Sequence, residues 1–380
     1  MRKSALVFLV FFAIYASSAQ RGLGWGDSGE FQHWILGGAD PFALRGFSNI
    51  HPLYIWICRA ICTTPFHVAL ISAFFGALSV AGLCLCTNSA PLAVAFGFSH
   101  MLWWLSSLAE VQTMNLAICA FATLFFLKYL ESGKGAHCLA AAFLAGLELE
   151  CHNFALLLLP VFFAFALSRR ASVKLLVLSA LTFCLGASYW LWALFTRGVA
   201  DVLVGAYGAK VAGFWPLDAK AAAFNYALAA ISFVPLTICA LARTREAAVK
   251  PSAAPTRMCA FVLFCINALF VARYFVPDQA TFILPTLFFA YIAFCPAGVS
   301  WRRAIIASFA GLASIVAAFA LLAHAPQDTA RTKRHPGRDD ARYFAFPWKA
   351  YEDSAARCAA SLGLDAKEWD GYNMERISEK

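Results

Sequence analysis

The sequence predicts an all-α polytopic membrane protein, and three observations predict it. Of the 380 residues 61% are hydrophobic and only 13% are charged, with a mean hydropathy of +0.68. A soluble domain of this length needs far more charge to cover its surface. Apolar runs close to the roughly 20 residues that cross a hydrocarbon layer recur from end to end. The runs are continuous rather than alternating and too long for barrel strands. Lipid satisfies no free backbone, so the spanning elements are helices.

About 11 transmembrane helices are legible, near 4–19, 66–86, 91–108, 114–130, 136–150, 153–168, 174–196, 222–242, 258–274, 280–297 and 303–323. Residues 1–323 form the membrane body, and 324–380 form a short C-terminal tail with a possible helix at 350–362. Orientation follows from Lys and Arg in the short loops. With Arg2 and Lys3 in the cytoplasm, alternation puts 13 basic residues in inner segments, among them Lys128, Lys134, Arg169, Arg170, Lys174, Arg302 and Arg303. The longer outer connections hold 7. The tail lies outside and carries 10 basic and 10 acidic residues, so the net +9 belongs to the membrane body. That charge reads as topology and not as nucleic-acid binding. Residues 1–19 serve either as the first span or as a cleaved signal peptide ending at Ser17-Ser18-Ala19, and the topology is the same in both cases. The expected setting is a bacterial cell membrane, with the C-terminal tail outside.

The 13 cysteines are scattered, without CxxC or zinc spacing, and read as small apolar fillers. There is no P-loop and no internal repeat. The polar residues collect instead at the outer ends of the helices. Ionisable groups are costly at membrane depth, so this placement is informative.

The first outer segment reads Gly24-Trp25-Gly26-Asp27-Ser28-Gly29-Glu30-Phe31-Gln32-His33-Trp34. Asp27 and Glu30, three apart, share a face if a helix starts here, and Asp27 or Ser28 is then also a capping residue. Next comes Asn49-Ile50-His51-Pro52-Leu53-Tyr54. Residues 53–63 read as a short interfacial helix with Tyr54 and Trp56 at headgroup level. The following turns hold Glu110 with Asn115, and Glu148 with His152 and Asn153; four apart, Glu148 and His152 would lie on one helix face. Last comes Arg273-Tyr274-Phe275-Val276-Pro277-Asp278. Arg273 either pairs with Asp278 or meets a phosphate, which its planar fork suits.

Taken in order, these motifs resemble the protein O-mannosyltransferase-like membrane glycosyltransferases of the GT-C class, a family that includes the animal enzyme acting on plexin-type receptors and many bacterial relatives. The matching pieces are Gly26-Asp27-Ser28-Gly29-Glu30, His51-Pro52-Leu53-Tyr54, Ala109-Glu110-Val111 with Asn115, Gly146-Leu147 with His152-Asn153, and Val276-Pro277-Asp278 with Phe282 and Leu284-Pro285. They span roughly residues 20–290. Two features depart from the family: its longer His-Pro-Pro-Gly-Tyr-Pro stretch is contracted here, and its larger members carry a long soluble C-terminal region.

The resemblance implies a GT-C-like helical bundle and a sugar donor carried on polyprenyl phosphate, with mannose as the family's hint. The acceptor would be a hydroxyl on an exported protein or a glycan, and displacement at the sugar C1 would be inverting. It casts Asp27 as the base, with Glu30 and Glu110 as its catalytic companions. His51, Tyr54, Asn115, His152, Asn153, Arg273 and Asp278 are cast as substrate-binding. A divalent Mg or Mn held by Asp27 and Glu30 is the rival role for those two carboxylates. Two other classes stay open: a transporter or lipid flippase, for which His100 is the main deep ionisable residue, and a non-catalytic assembly subunit.

Overall fold

The computed structural model describes residues 2–22, 24, 27–38, 50–204, 219–241, 254–274, 279–296 and 298–323. Every predicted span is helical within those residues. In chain order the helices are α1 (Arg2–Ser18), α2 (Asp27–Leu36), α3 (Pro52–Ile61), α4 (Pro65–Thr87), α5 (Ala90–Gly97), α6 (His100–Ser106), α7 (Gln112–Ser132), α8 (Gly135–Cys151), α9 (Ala155–Ser168), α10 (Val173–Gly186) and α11 (Ser188–Arg197). After a π-turn at Ala200–Val204 come α12 (Ala219–Ser232), α13 (Val234–Ala240) and α14 (Ala254–Arg273). A 3-10 turn (Gln279–Ile283), α15 (Leu284–Phe294) and α16 (Trp301–Ala323) complete the order. The tail helix expected at 350–362 lies outside the described residues.

By length and apolarity four of the described helices qualify as spans, α4, α7, α14 and α16, or six when each bent pair counts as one. The sequence count of about 11 is finer than these criteria establish. The difference has a local cause. The run at 91–108 is two short helices broken at Phe98-Ser99. The run at 174–196 bends by 76° between α10 and α11. Hydropathy reports the medium around a segment, not the direction of its backbone.

Turn chemistry sets the boundaries. The Thr64 side chain accepts the backbone N–H of His67, and Pro65 opens α4. Ser89 and Ser172 cap α5 and α10 in the same way. Gly133, at φ 67°, turns α7 into α8, a conformation that favours glycine. α1 packs on α4, α4 on α7, α7 on α8 and α8 on α10. At the last crossing two glycines touch. A Cβ on Gly146 would sit 2.9 Å from the Ala187 nitrogen, and one on Gly186 would sit 2.9 Å from the Leu147 nitrogen. Small residues of this kind let membrane helices approach backbone to backbone.

One end of the bundle carries a cap. There α2, α3 and the ends of α7, α8 and α11 share a second, smaller apolar core that includes Phe31, Trp34, Tyr54, Met114, Leu149 and Trp190. At the opposite end Lys128, Lys134, Arg169, Arg170 and Lys174 are all exposed.

Candidate active site at the capped end

The site is built where α1 gives way to α2. α1 is moored to α6: the Trp103 indole donates to Ser18 Oγ at 2.9 Å, Ser18 and Ser107 hydroxyls meet at 2.8 Å, and the Gln20 N–H donates to the Ser107 carbonyl at 2.8 Å. The chain then passes Gly24, whose N–H donates to Gln32 Oε1 at 2.7 Å. Gln32, fully buried, also donates to the Gly22 and Pro65 carbonyls. Its amide therefore pins the loop that sets the start of α2.

Asp27 is the first residue of α2, and Glu30 lies three residues on along the same helix, as the spacing predicts. Their side chains lie outside what is described. Ser28, buried between them, donates to Glu110 Oε1 at 3.1 Å across 82 residues of sequence. Glu110 is fixed through its backbone as well. Ser72 Oγ donates to the Glu110 carbonyl at 2.9 Å and accepts the Glu110 N–H at 3.0 Å. The Tyr54 hydroxyl meets the same Ser72 Oγ at 3.3 Å. The Asp27 segment, Glu110 and Tyr54 thus form one connected group.

Tyr54 corrects an expectation. It lies on α3 but is fully buried rather than at headgroup level, because its hydroxyl finds Ser72 inside the bundle. Trp56 does face out, at 41% exposure, with its ring edge-on to Tyr189.

His51 caps the start of α3 in a left-handed conformation, φ 49°. Its Nδ1 donates to the Cys151 carbonyl at 2.8 Å. This places its ring on that of His152, with centroids 5.1 Å apart and planes 14° from parallel. His152 Nδ1 accepts the Phe154 N–H at 3.2 Å, so the proton of the neutral ring sits on Nε2. Burial, and after it the facing His51, hold the His152 imidazole well below the ordinary histidine range. The expected shared helix face of Glu148 and His152 is not observed. α8 ends at Cys151 and His152 is extended.

The neighbouring acids take different roles. Glu150 Oε1 accepts the N–H groups of Tyr189 and Trp190 at 2.8 and 2.9 Å, which satisfies the first turn of α11 and fixes the bend after α10. Asn153 Oδ1 accepts the Trp190 indole at 2.9 Å, so its described bond braces α11. Glu148 is 1% exposed inside α8, and its Oε2 meets no partner among the described residues. Asn115, fully buried in the first turn of α7, has neither amide atom paired there. Arg273 is exposed at the end of α14. Its neighbour Tyr274 stacks edge-on to Phe282, and Phe282 also contacts His152. Asp278 lies outside the described residues. No three His, Cys, Asp or Glu side chains converge among the described residues, which do not include the side chains of Asp27 and Glu30.

Among solved structures the chain is similar to ArnT from Cupriavidus metallidurans bound to undecaprenyl phosphate. The TM-score is 0.62 at 14% identity, over 96% of this chain and 75% of that one. The likeness is one of fold. No protein-family model and no curated protein matches the sequence. Within this fold the capped end holds the polar cluster. An apolar groove of about 410 Å³ runs along α8, α9 and α10, lined by residues such as Phe126, Ala145, Pro160, Phe163 and Phe183. Its only polar lining side chains, Cys138 and Ser179, hydrogen-bond each other at 3.4 Å.

Proposed function

We propose that this protein transfers a sugar from a polyprenyl-phosphate donor to a hydroxyl acceptor on an exported protein or glycan, at the capped end of an 11-span bundle and on the outer face of the membrane. One observation carries the reading: on a GT-C fold, the start of α2 that bears Asp27 is tied to Glu110 by the Ser28 hydrogen bond. In this reading Asp27 accepts the proton of the acceptor hydroxyl as its oxygen bonds to the sugar C1. The bond from C1 to the donor phosphate oxygen breaks with inversion, and polyprenyl phosphate leaves with the electron pair. General-base help of this kind is worth typically about 100- to 10,000-fold. Glu110, oriented by Ser28 and Ser72, faces the positive charge that develops on the sugar ring.

The phosphate belongs with Arg273 and the His152 Nε2–H donor. The isoprenoid chain suits apolar surface such as the groove along α8–α10. Mannose is the sugar that the motif resemblance favours. A divalent ion on Asp27 and Glu30 is a second role for the same carboxylates.

The test is transfer from a radiolabelled polyprenyl-phosphate sugar by membranes containing the protein, against membranes without it, with and without EDTA. Protein-dependent incorporation supports the reading, and its loss in EDTA assigns the carboxylates to a metal. No incorporation from any of several hexose donors contradicts it. A flippase is the second reading, favoured by the buried Glu148 in α8. It predicts lipid translocation that persists in Asp27→Asn.

A further inference from the structure

α9 and α10 are joined by the short turn at 169–172, yet they do not pack face to face. α9 lies on α8 and α14, and α10 lies on α8. The space left between them is the apolar groove, and Ala141, Ala142, Ala145, Ala166 and Ala180 keep it open. Small residues usually let membrane helices close on each other. Here they line a gap beside Phe163, whose ring is 57% exposed. On α8 the lining runs from Cys138 to Ala145, roughly 10 Å at the helical rise.

One end of this groove is basic. Lys134 immediately precedes α8 and stands one helical turn from the lining residue Cys138. Arg169 and Arg170 follow α9, one turn from Ala166, and Lys174 lies in the first turn of α10, two residues from Leu176. All four cations are exposed, and none forms an ion pair among the described residues, where Glu131 is the one acid at that end. α8 and α10 both begin there, no side chain caps α8, and helix N-termini favour negative charge. Topology explains basic loops. It does not require them at the end of an open apolar groove.

We infer that the groove binds an anionic phospholipid, with one acyl chain between α9 and α10 and its headgroup phosphate on Arg169, Arg170 and Lys174. Basic residues at the end of a cleft between membrane helices suit a lipid headgroup, and the arginine fork suits phosphate. Length favours an acyl chain. The hydrocarbon of one leaflet is roughly 15 Å deep, so a chain confined to one leaflet matches the groove, whereas a polyprenyl chain is far longer. Apolarity alone would serve either. The headgroup lies at the end opposite Asp27 and Glu110, so this site is separate from the proposed active site and the inference stands independently of the transferase reading.

The test is native mass spectrometry of the purified full chain, delipidated in detergent and titrated with phosphatidylglycerol, phosphatidylcholine and undecaprenyl phosphate. The wild type should bind phosphatidylglycerol at least about tenfold more tightly than phosphatidylcholine. The triple variant Arg169→Gln, Arg170→Gln, Lys174→Gln should lose that preference and keep the phosphatidylcholine affinity. Ala180→Trp fills the groove from an exposed position and should weaken both phospholipids at least about tenfold. Both variants should melt with the wild type before lipid is added. If Ala180→Trp melts lower, Ala142→Trp gives the same reading from α8. Equal affinity of the wild type for the two phospholipids overturns the inference, as does a preference that survives the triple variant or full binding in a folded groove-filling variant. Displacement of phosphatidylglycerol by equimolar undecaprenyl phosphate assigns the groove to the isoprenoid and overturns it as well.

Discussion

The capped end and the groove along α8–α10 treat polarity in opposite ways. In the groove Cys138 and Ser179 bond each other, and the rest of the lining is aromatic and aliphatic. At the capped end Gln20, Asn115 and Glu148 are 1% exposed or less and keep polar atoms without partners among the described residues. The groove is lined by hydrocarbon, and the capped end by polar side chains set among aromatic ones.

Four changes sharpen this contrast, and the largest should come from the groove side. Gly146→Leu sets a side chain against the backbone of Phe183, Ala187 and Gly186, where no flexible group can give way. Loss of more than about 3 kcal/mol is expected, seen as failure to purify a monodisperse protein. Gln32→Leu comes next. It strands the Gly24 N–H and two carbonyls, at a cost on the order of 3 kcal/mol, whereas Gln20→Leu costs nothing in stability. Equal melting temperatures for the two leucine variants would contradict this difference between the bonded Gln32 amide and the unbonded Gln20 amide.

Glu150→Ala removes the acceptor for Tyr189 and Trp190 and should destabilise by about 1–2 kcal/mol. Glu150→Gln keeps an acceptor oxygen and should recover most of it, which thermal denaturation in detergent reads directly. The smallest effect is in pH. His152 resists protonation in the fold, while the unfolded chain takes up a proton near pH 6.5. The His152 contribution is therefore complete above that pH and is lost as pH falls below it, by less than about 1.4 kcal/mol per pH unit. His152→Gln should flatten that limb of the stability profile.

Much of the fold was legible in the sequence because lipid imposes a simple rule on it. The run expected at 66–86 is the helix Pro65–Thr87, bounded by a Thr64 cap and a left-handed Asn88. The bend after α10 was not legible. It depends on Glu150 accepting two N–H groups from a segment about 40 residues away, and nothing in the order of residues distinguishes Glu150 from Glu148. Of the candidate site, only its gathering at one end of the bundle was legible. The start of α2, Glu110, Tyr54, His51 and His152 do meet at one end of the bundle. Gln20 carried no signal, since its interest lies in burial and in missing partners, which are properties of three dimensions. The placement of Tyr54 failed for a related reason: an aromatic near a predicted interface reads as a belt residue until Ser72 is seen beneath its hydroxyl.

The central claim is that the α2 start carries out sugar transfer, and Asp27→Asn tests it most directly. Sugar incorporation from the labelled polyprenyl-phosphate donor should fall by at least about 100-fold in the variant, with membrane insertion and melting temperature unchanged. A folded Asp27→Asn protein that transfers sugar at the wild-type rate would contradict the account.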